Sequence, residues 1–136
     1  MNKIKLSIFL VLFVVLSGCG NSQLDKLNGQ WACDGEATLK TRQDYQSLDE
    51  FSQALLIKMF ASVKLKFNVE EKMIIADMGG QHNEGKFTVL SESPEKIELS
   101  YNNIKMDITF ITDNCIHLVE PEQKDKIKYL VLKRVN

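Results

Sequence analysis

The sequence predicts a mostly β chain: an eight-stranded antiparallel up-and-down barrel or strongly curved sheet, with one helix inserted after the first strand. Three observations carry this. The stretches "VKLKFNV" (63–69) and "IKMDITF" (104–110) alternate apolar and polar residues with period two, the mark of half-buried antiparallel strands. Turn-forming residues recur about every ten positions, the spacing of a hairpin meander. A single segment breaks the alternation and carries apolar residues at helical spacing.

The first strand is expected at about 30–40. Next, Ser47-Leu48-Asp49-Glu50 has the S-x-x-E form of a capping box, whose side chains partner the first free amides of a helix. Leu48, Phe51, Leu55 and Met59 then follow at intervals of three, four and four, and Leu56, Phe60 and Val63 widen that stripe. A helix over 47–62 results, with the Met and aromatic stripe facing the core and Asp49, Gln53 and Lys58 facing solvent. Beyond it, Val63, Leu65, Phe67 and Val69 share one face of the next strand. Further along, Ile104, Met106, Ile108 and Phe110 share another.

The separating turns are Glu70-Glu71-Lys72, Gly79-Gly80, Ser93-Pro94-Glu95, Asn102-Asn103 and Asp113-Asn114. The last strand is expected at 127–134. Around Cys115 two registers are open. A two-residue turn at Asp113-Asn114 points Cys115 and His117 inward. A longer, bulged connection reverses them and buries Ile116 and Leu118.

The N-terminus has its own chemistry. Lys3 and Lys5 precede the apolar run "LSIFLVLFVVL", the layout of a secretory signal. As a helix that run would span roughly 16 Å, about half a bilayer core, too short for a permanent span. It closes on Leu16-Ser17-Gly18-Cys19, which resembles the bacterial lipobox at all four positions. The resemblance implies cleavage before Cys19 and attachment of diacylglycerol to its thiol. Two or three acyl chains hold a protein firmly where one does not. Gly20 stands where inner-membrane retention signals of that family carry Asp, so the implied address is the periplasmic face of the outer membrane. The chain then divides into a signal peptide (1–18), a lipidated cysteine with a polar tether (19–27) and a β domain (28–136).

Net charge is −1 over the whole chain, and the signal removes two lysines. With no basic surplus or stripe, nucleic acid is excluded as a partner. Exported domains sit in an oxidising compartment, so Cys33 and Cys115 are expected to form a structural disulfide closing a loop of about 80 residues.

"LNGQW" (27–31) supplies a second resemblance. Gly29-x-Trp31 entering the first strand is similar to the lipocalin and fatty-acid-binding superfamily. There the tryptophan plugs the closed barrel end, and a basic residue of a late strand lies over its ring. In this chain the resemblance gives that part to Arg134, and the helix after the first strand matches the fatty-acid-binding layout. It implies a small apolar ligand among inward residues such as Phe67, Met106 and Phe110. "WACDG" (31–35) resembles the Tyr-x-Cys-Asp-Gly opening of membrane-bound lysozyme inhibitors, but their Ser-Gly-x-x-Tyr loop motif is absent, so inhibition does not carry over.

Catalytic chemistry finds little support. His82-Asn83-Glu84 offers two ligands where a catalytic zinc needs three, and His117 has no nucleophile in a recognisable motif. Asp34 and Glu36 read as solvated acids on a strand edge. There is no phosphate-cradling loop and no cofactor motif. The expectation is a non-catalytic, lipid-anchored binding domain, with a small apolar ligand favoured. The alternative is a filled barrel acting as a protein-interaction or inhibitor module of the cell envelope.

Overall fold

The structure, a computed structural model, describes residues 22–120 and 127–136. The signal peptide and Cys19 lie outside the described residues. Eight antiparallel strands close into a barrel in chain order: β1 (Gly29–Cys33), β2 (Lys64–Asn68), β3 (Met73–Met78), β4 (Gln81–Glu92), β5 (Lys96–Tyr101), β6 (Ile104–Thr112), β7 (Cys115–Val119) and β8 (Leu130–Arg134). Among the described residues three α-helices accompany them: α1 (Gln23–Leu27), α2 (Gly35–Lys40) and α3 (Glu50–Ala61). The mostly β class, the strand number and the helix inserted after β1 are as the alternation and turn spacing predict.

The seam pairs β1 with β8 through Trp31↔Arg134 and Cys33↔Leu132. Inward side chains from every strand meet in one cluster that includes Trp31, Phe67, Ile74, Phe87, Leu99 and Ile108. Phe67 and Phe87 meet edge to face, with centroids 6.4 Å apart, a geometry their ring quadrupoles favour.

Several expectations change. The first strand ends at Cys33 and does not reach 40. Asp34 instead caps α2, its carboxylate accepting from the Ala37 amide at 3.0 Å, while its second oxygen meets Lys133 Nζ at 2.9 Å. These contacts hold its pKa below the ordinary carboxylate value, the Ala37 amide contributing most. Glu36 pairs with Lys40 one helical turn on. The two acids thus serve α2 and do not form a pair on a strand edge.

Thr38 pins that helix to the barrel. It is fully buried, and its hydroxyl accepts from the Val131 amide at 2.9 Å while lying 3.2 Å from Cys33 Sγ. Thr38→Val leaves the Val131 amide buried without an acceptor and is expected to cost about 1 to 3 kcal/mol in urea denaturation.

The segment ahead of Gly29, expected to be a polar tether, is folded from Ser22. The Ser22 hydroxyl caps α1, and Leu27 is fully buried against the barrel.

The disulfide between Cys33 and Cys115 is not formed, and both thiols are free. Their strands flank β8 on opposite sides. Cys33 pairs with inward Leu132, whereas Cys115 pairs with outward Lys133, so the two thiols point to opposite faces of the sheet. No rotamer joins them. Burial raises the Cys33 pKa.

The register at Cys115 combines both open alternatives. Asp113-Asn114 is a two-residue turn with Thr112 opposite Cys115, yet a bulge at Ile111 brings Phe110 opposite Ile116. That extra residue turns Ile116 and Leu118 inward and Cys115 and His117 outward.

Candidate functional site

Alternating strand directions sort the connections into two ends. At the end where β1 begins lie α1 and the β2–β3, β4–β5 and β6–β7 turns. The Leu24 amide donates to Glu92 there, and the Asn28 side chain accepts from the Val69 amide. Trp31 and Arg134 close this end. The guanidinium carbon stands 4.3 Å from the indole centroid, and Nε1 of Trp31 donates to the Leu27 carbonyl at 2.9 Å. Arg134 also donates to the carbonyls of Lys26, Asn28 and Asp113. Gly29 permits that approach: at φ +120° an L side chain is strained, and a Cβ would stand 3.1 Å from Arg134 Nη1. Gly29, Trp31 and Arg134 therefore form one structural plug.

The residues expected to line a ligand site belong to the barrel core. Phe67 and Met106 are buried members of the core cluster, and half-buried Phe110 packs against it. A cleft of about 170 Å³ lies elsewhere, on the outside of β1–β3, with Lys64, Lys66, Ile75 and Asp77 at its walls.

Two polar groupings carry histidines. On the β3–β4 hairpin, His82 Nδ1 lies 2.8 Å from Asp77 Oδ1 and Nε2 lies 3.7 Å from Glu84 Oε2. All three side chains are more than half exposed. Chiefly through the Asp77 hydrogen bond, the His82 pKa rises above the ordinary imidazole value. On the barrel wall, the His117 ring stacks on Tyr129 with centroids 4.2 Å apart, and burial lowers its pKa. Among the described residues no group of three or more His, Cys, Asp or Glu is arranged to hold a metal ion.

The two histidines should therefore titrate apart, His82 above and His117 below about 6.5. The Asp77 contact stabilises the protonated ring. Its contribution is complete below the unfolded pKa and is lost as pH rises through the higher folded one. An NMR titration should show the His82 midpoint falling in Asp77→Asn while His117 stays in place.

The feature that sequence periodicity misassigned lies at the opposite end, where α2 and α3 form a hairpin between β1 and β2. The expected Ser47 capping box is not formed. Ser47 ends a 3₁₀ turn, and Asp49 caps α3, accepting from the Ser52 amide and hydroxyl, each at 2.8 Å. Of the stripe expected to face the core, Phe51, Leu55 and Met59 point outward, 77%, 58% and 54% exposed, while Leu56 and Phe60 are half-buried and Val63 is buried as expected. Half-buried Leu56, Ile57 and Phe60 form the covered side, and no residue of α3 is fully buried.

Apolar residues run all round this helix, so two stripes at equivalent spacing competed and periodicity alone could not rank them. A signal for α2 did exist: Asp34 is an N-cap residue ahead of Ala37, Leu39 and Lys40, all good helix formers. Comparison with protein-family models, curated proteins and solved structures finds no match to this chain.

Proposed function

We propose that this chain is a lipid-anchored, non-catalytic interaction module of the bacterial outer membrane, which grips a protein through the outer face of α3. The observation that carries this is the exposed Phe51–Leu55–Met59 stripe on a hairpin at the barrel end opposite the entry of the chain at Ser22. Large apolar side chains grouped on one helix face favour contact with another macromolecule over contact with water.

The small apolar ligand has less support, because Phe67 and Met106 are occupied in packing against other side chains. The anchor rests on the Leu16–Cys19 lipobox. With only two residues between Cys19 and the start of the folded domain at Ser22, a reach of at most roughly 10 Å, the α1 end would be held close to the bilayer. The α3 face would then be displaced from the anchoring surface.

A photo-crosslinking residue placed at Leu55 in intact cells tests the grip, with the same residue at Lys105 on the barrel wall as reference. Protein adducts from position 55 and none from 105 are the expected result. Unlabelled protein at both positions would reject the interaction reading. Mass spectrometry tests the anchor separately. The mature N-terminus should carry acyl chains on Cys19, and Cys19→Ala should abolish them.

A further inference from the structure

We infer that the partner on α3 is a second copy of this chain, held by an antiparallel, two-fold pairing of α3 with α3. The inference rests on reading the outer face of this helix as the interaction surface. Phe51, Ala54, Leu55 and Lys58 are all exposed and stand at i, i+3, i+4 and i+7, so they form one face. Ala54 lies in the middle of it, where a small side chain lets two helices approach closely.

The face is self-complementary in charge as well as shape. Glu50 occupies the first turn, at the edge of this face, and Lys58 the last, within it, and neither has an ion-pair partner among the described residues. A two-fold axis passing between Ala54 and Leu55 sets Glu50 of each copy level with Met59 of the other and one residue from Lys58, within reach of its side chain. Phe51 then meets the stem of Lys58 and the Met59 side chain, and Leu55 lies beside Ala54. Both charge pairs form at once because the operation is isologous. The antiparallel arrangement also places each helix N-terminus beside the other's C-terminus, which the helix dipoles favour.

A parallel pairing would set Lys58 against Lys58 on the shared face and leave Glu50 with no cation opposite it, which like-charge repulsion opposes. A helix of this length spans about 18 Å, so the contact is small and the dimer weak in free solution. Confinement to a membrane surface raises the effective concentration and offsets that weakness.

The test uses the full chain in its host envelope. Ala54→Cys, beside the axis, should give an oxidant-dependent product of twice the monomer mass. Wild type and Lys105→Cys control for the native Cys115 thiol. Sedimentation of the purified protein should show Glu50→Lys and Lys58→Glu each weakening the dimer about five- to tenfold, two pairs being reversed. The double variant should restore it.

A monomer at Ala54→Cys, or single reversals without effect, would overturn self-pairing. An adduct to a different protein from position 54 or 55 would also overturn it while leaving the interaction reading intact. No adduct of any kind would remove both.

Discussion

Trp31→Ala should lower the stability of the domain by about 3 to 5 kcal/mol, the range for large aromatic truncations in a packed core. Three losses combine. The indole is fully buried, so its removal opens a cavity at the plugged end. The Leu27 carbonyl loses its only indole donor, which loosens α1. Arg134 loses the ring beneath its guanidinium, a contact worth about 0.5 to 2 kcal/mol depending on desolvation. Trp31→Phe separates these, since it keeps a ring but removes the donor. It should cost about 1 to 3 kcal/mol, less than the alanine variant. Urea denaturation must be followed by circular dichroism, because Trp31 is the only tryptophan. An alanine variant of normal stability would show that the plug does not hold the barrel end.

Gly35→Ala should be nearly as damaging, although it adds a single methyl group. A Cβ at Gly35 would lie 2.2 Å from the Ile57 carbonyl oxygen and 3.0 Å from the Ala61 amide nitrogen. Both are backbone atoms of α3, so no side-chain rotation relieves the overlap. Within a helix, alanine is favoured over glycine by about 1 kcal/mol. Displacing α3 from α2 should outweigh that gain and leave a net loss of about 3 kcal/mol. Hydrogen exchange should localise the effect, with amides of α2 and α3 losing protection while the strands opposite retain theirs. An unchanged exchange pattern would mean that the hairpin yields without cost.

The barrel was legible because its signals are local and repeated. Val63, Leu65, Phe67 and Val69 alternate with lysines and asparagine, and each hairpin carries its own turn residues. Trp31 and Arg134 were legible for a different reason: a family resemblance proposed the pair, and the β1–β8 register places them side by side.

The helices were harder. In α3, Phe51 and Phe60 lie on opposite sides, and only tertiary contact decides which is covered. In α1, Leu24 and Leu27 are too few to announce a helix, yet both are buried by the barrel end. The cysteines show a third limit. An oxidising compartment permits a bond, but facing depends on a single bulged residue, Ile111, which no composition rule locates. The outer face of α3, now the candidate site, was hidden because exposed and buried apolar stripes look alike until a core exists.

The β1–β8 seam also sets an order of events. Arg134 reaches the Lys26 and Asn28 carbonyls across 108 and 106 positions of chain, so the plug is built from the two ends of the domain. Contacts of such separation reward the chain only after loop-closure entropy has been overcome, which makes closure slow compared with any single hairpin. Until β8 has emerged, whether from a ribosome or from a translocation pore, β1 and β7 are open edges and Trp31 has no cation above it. The nascent chain is therefore an unclosed, edge-exposed sheet until Leu130–Arg134 docks between β1 and β7, and its vulnerability to aggregation ends with that step.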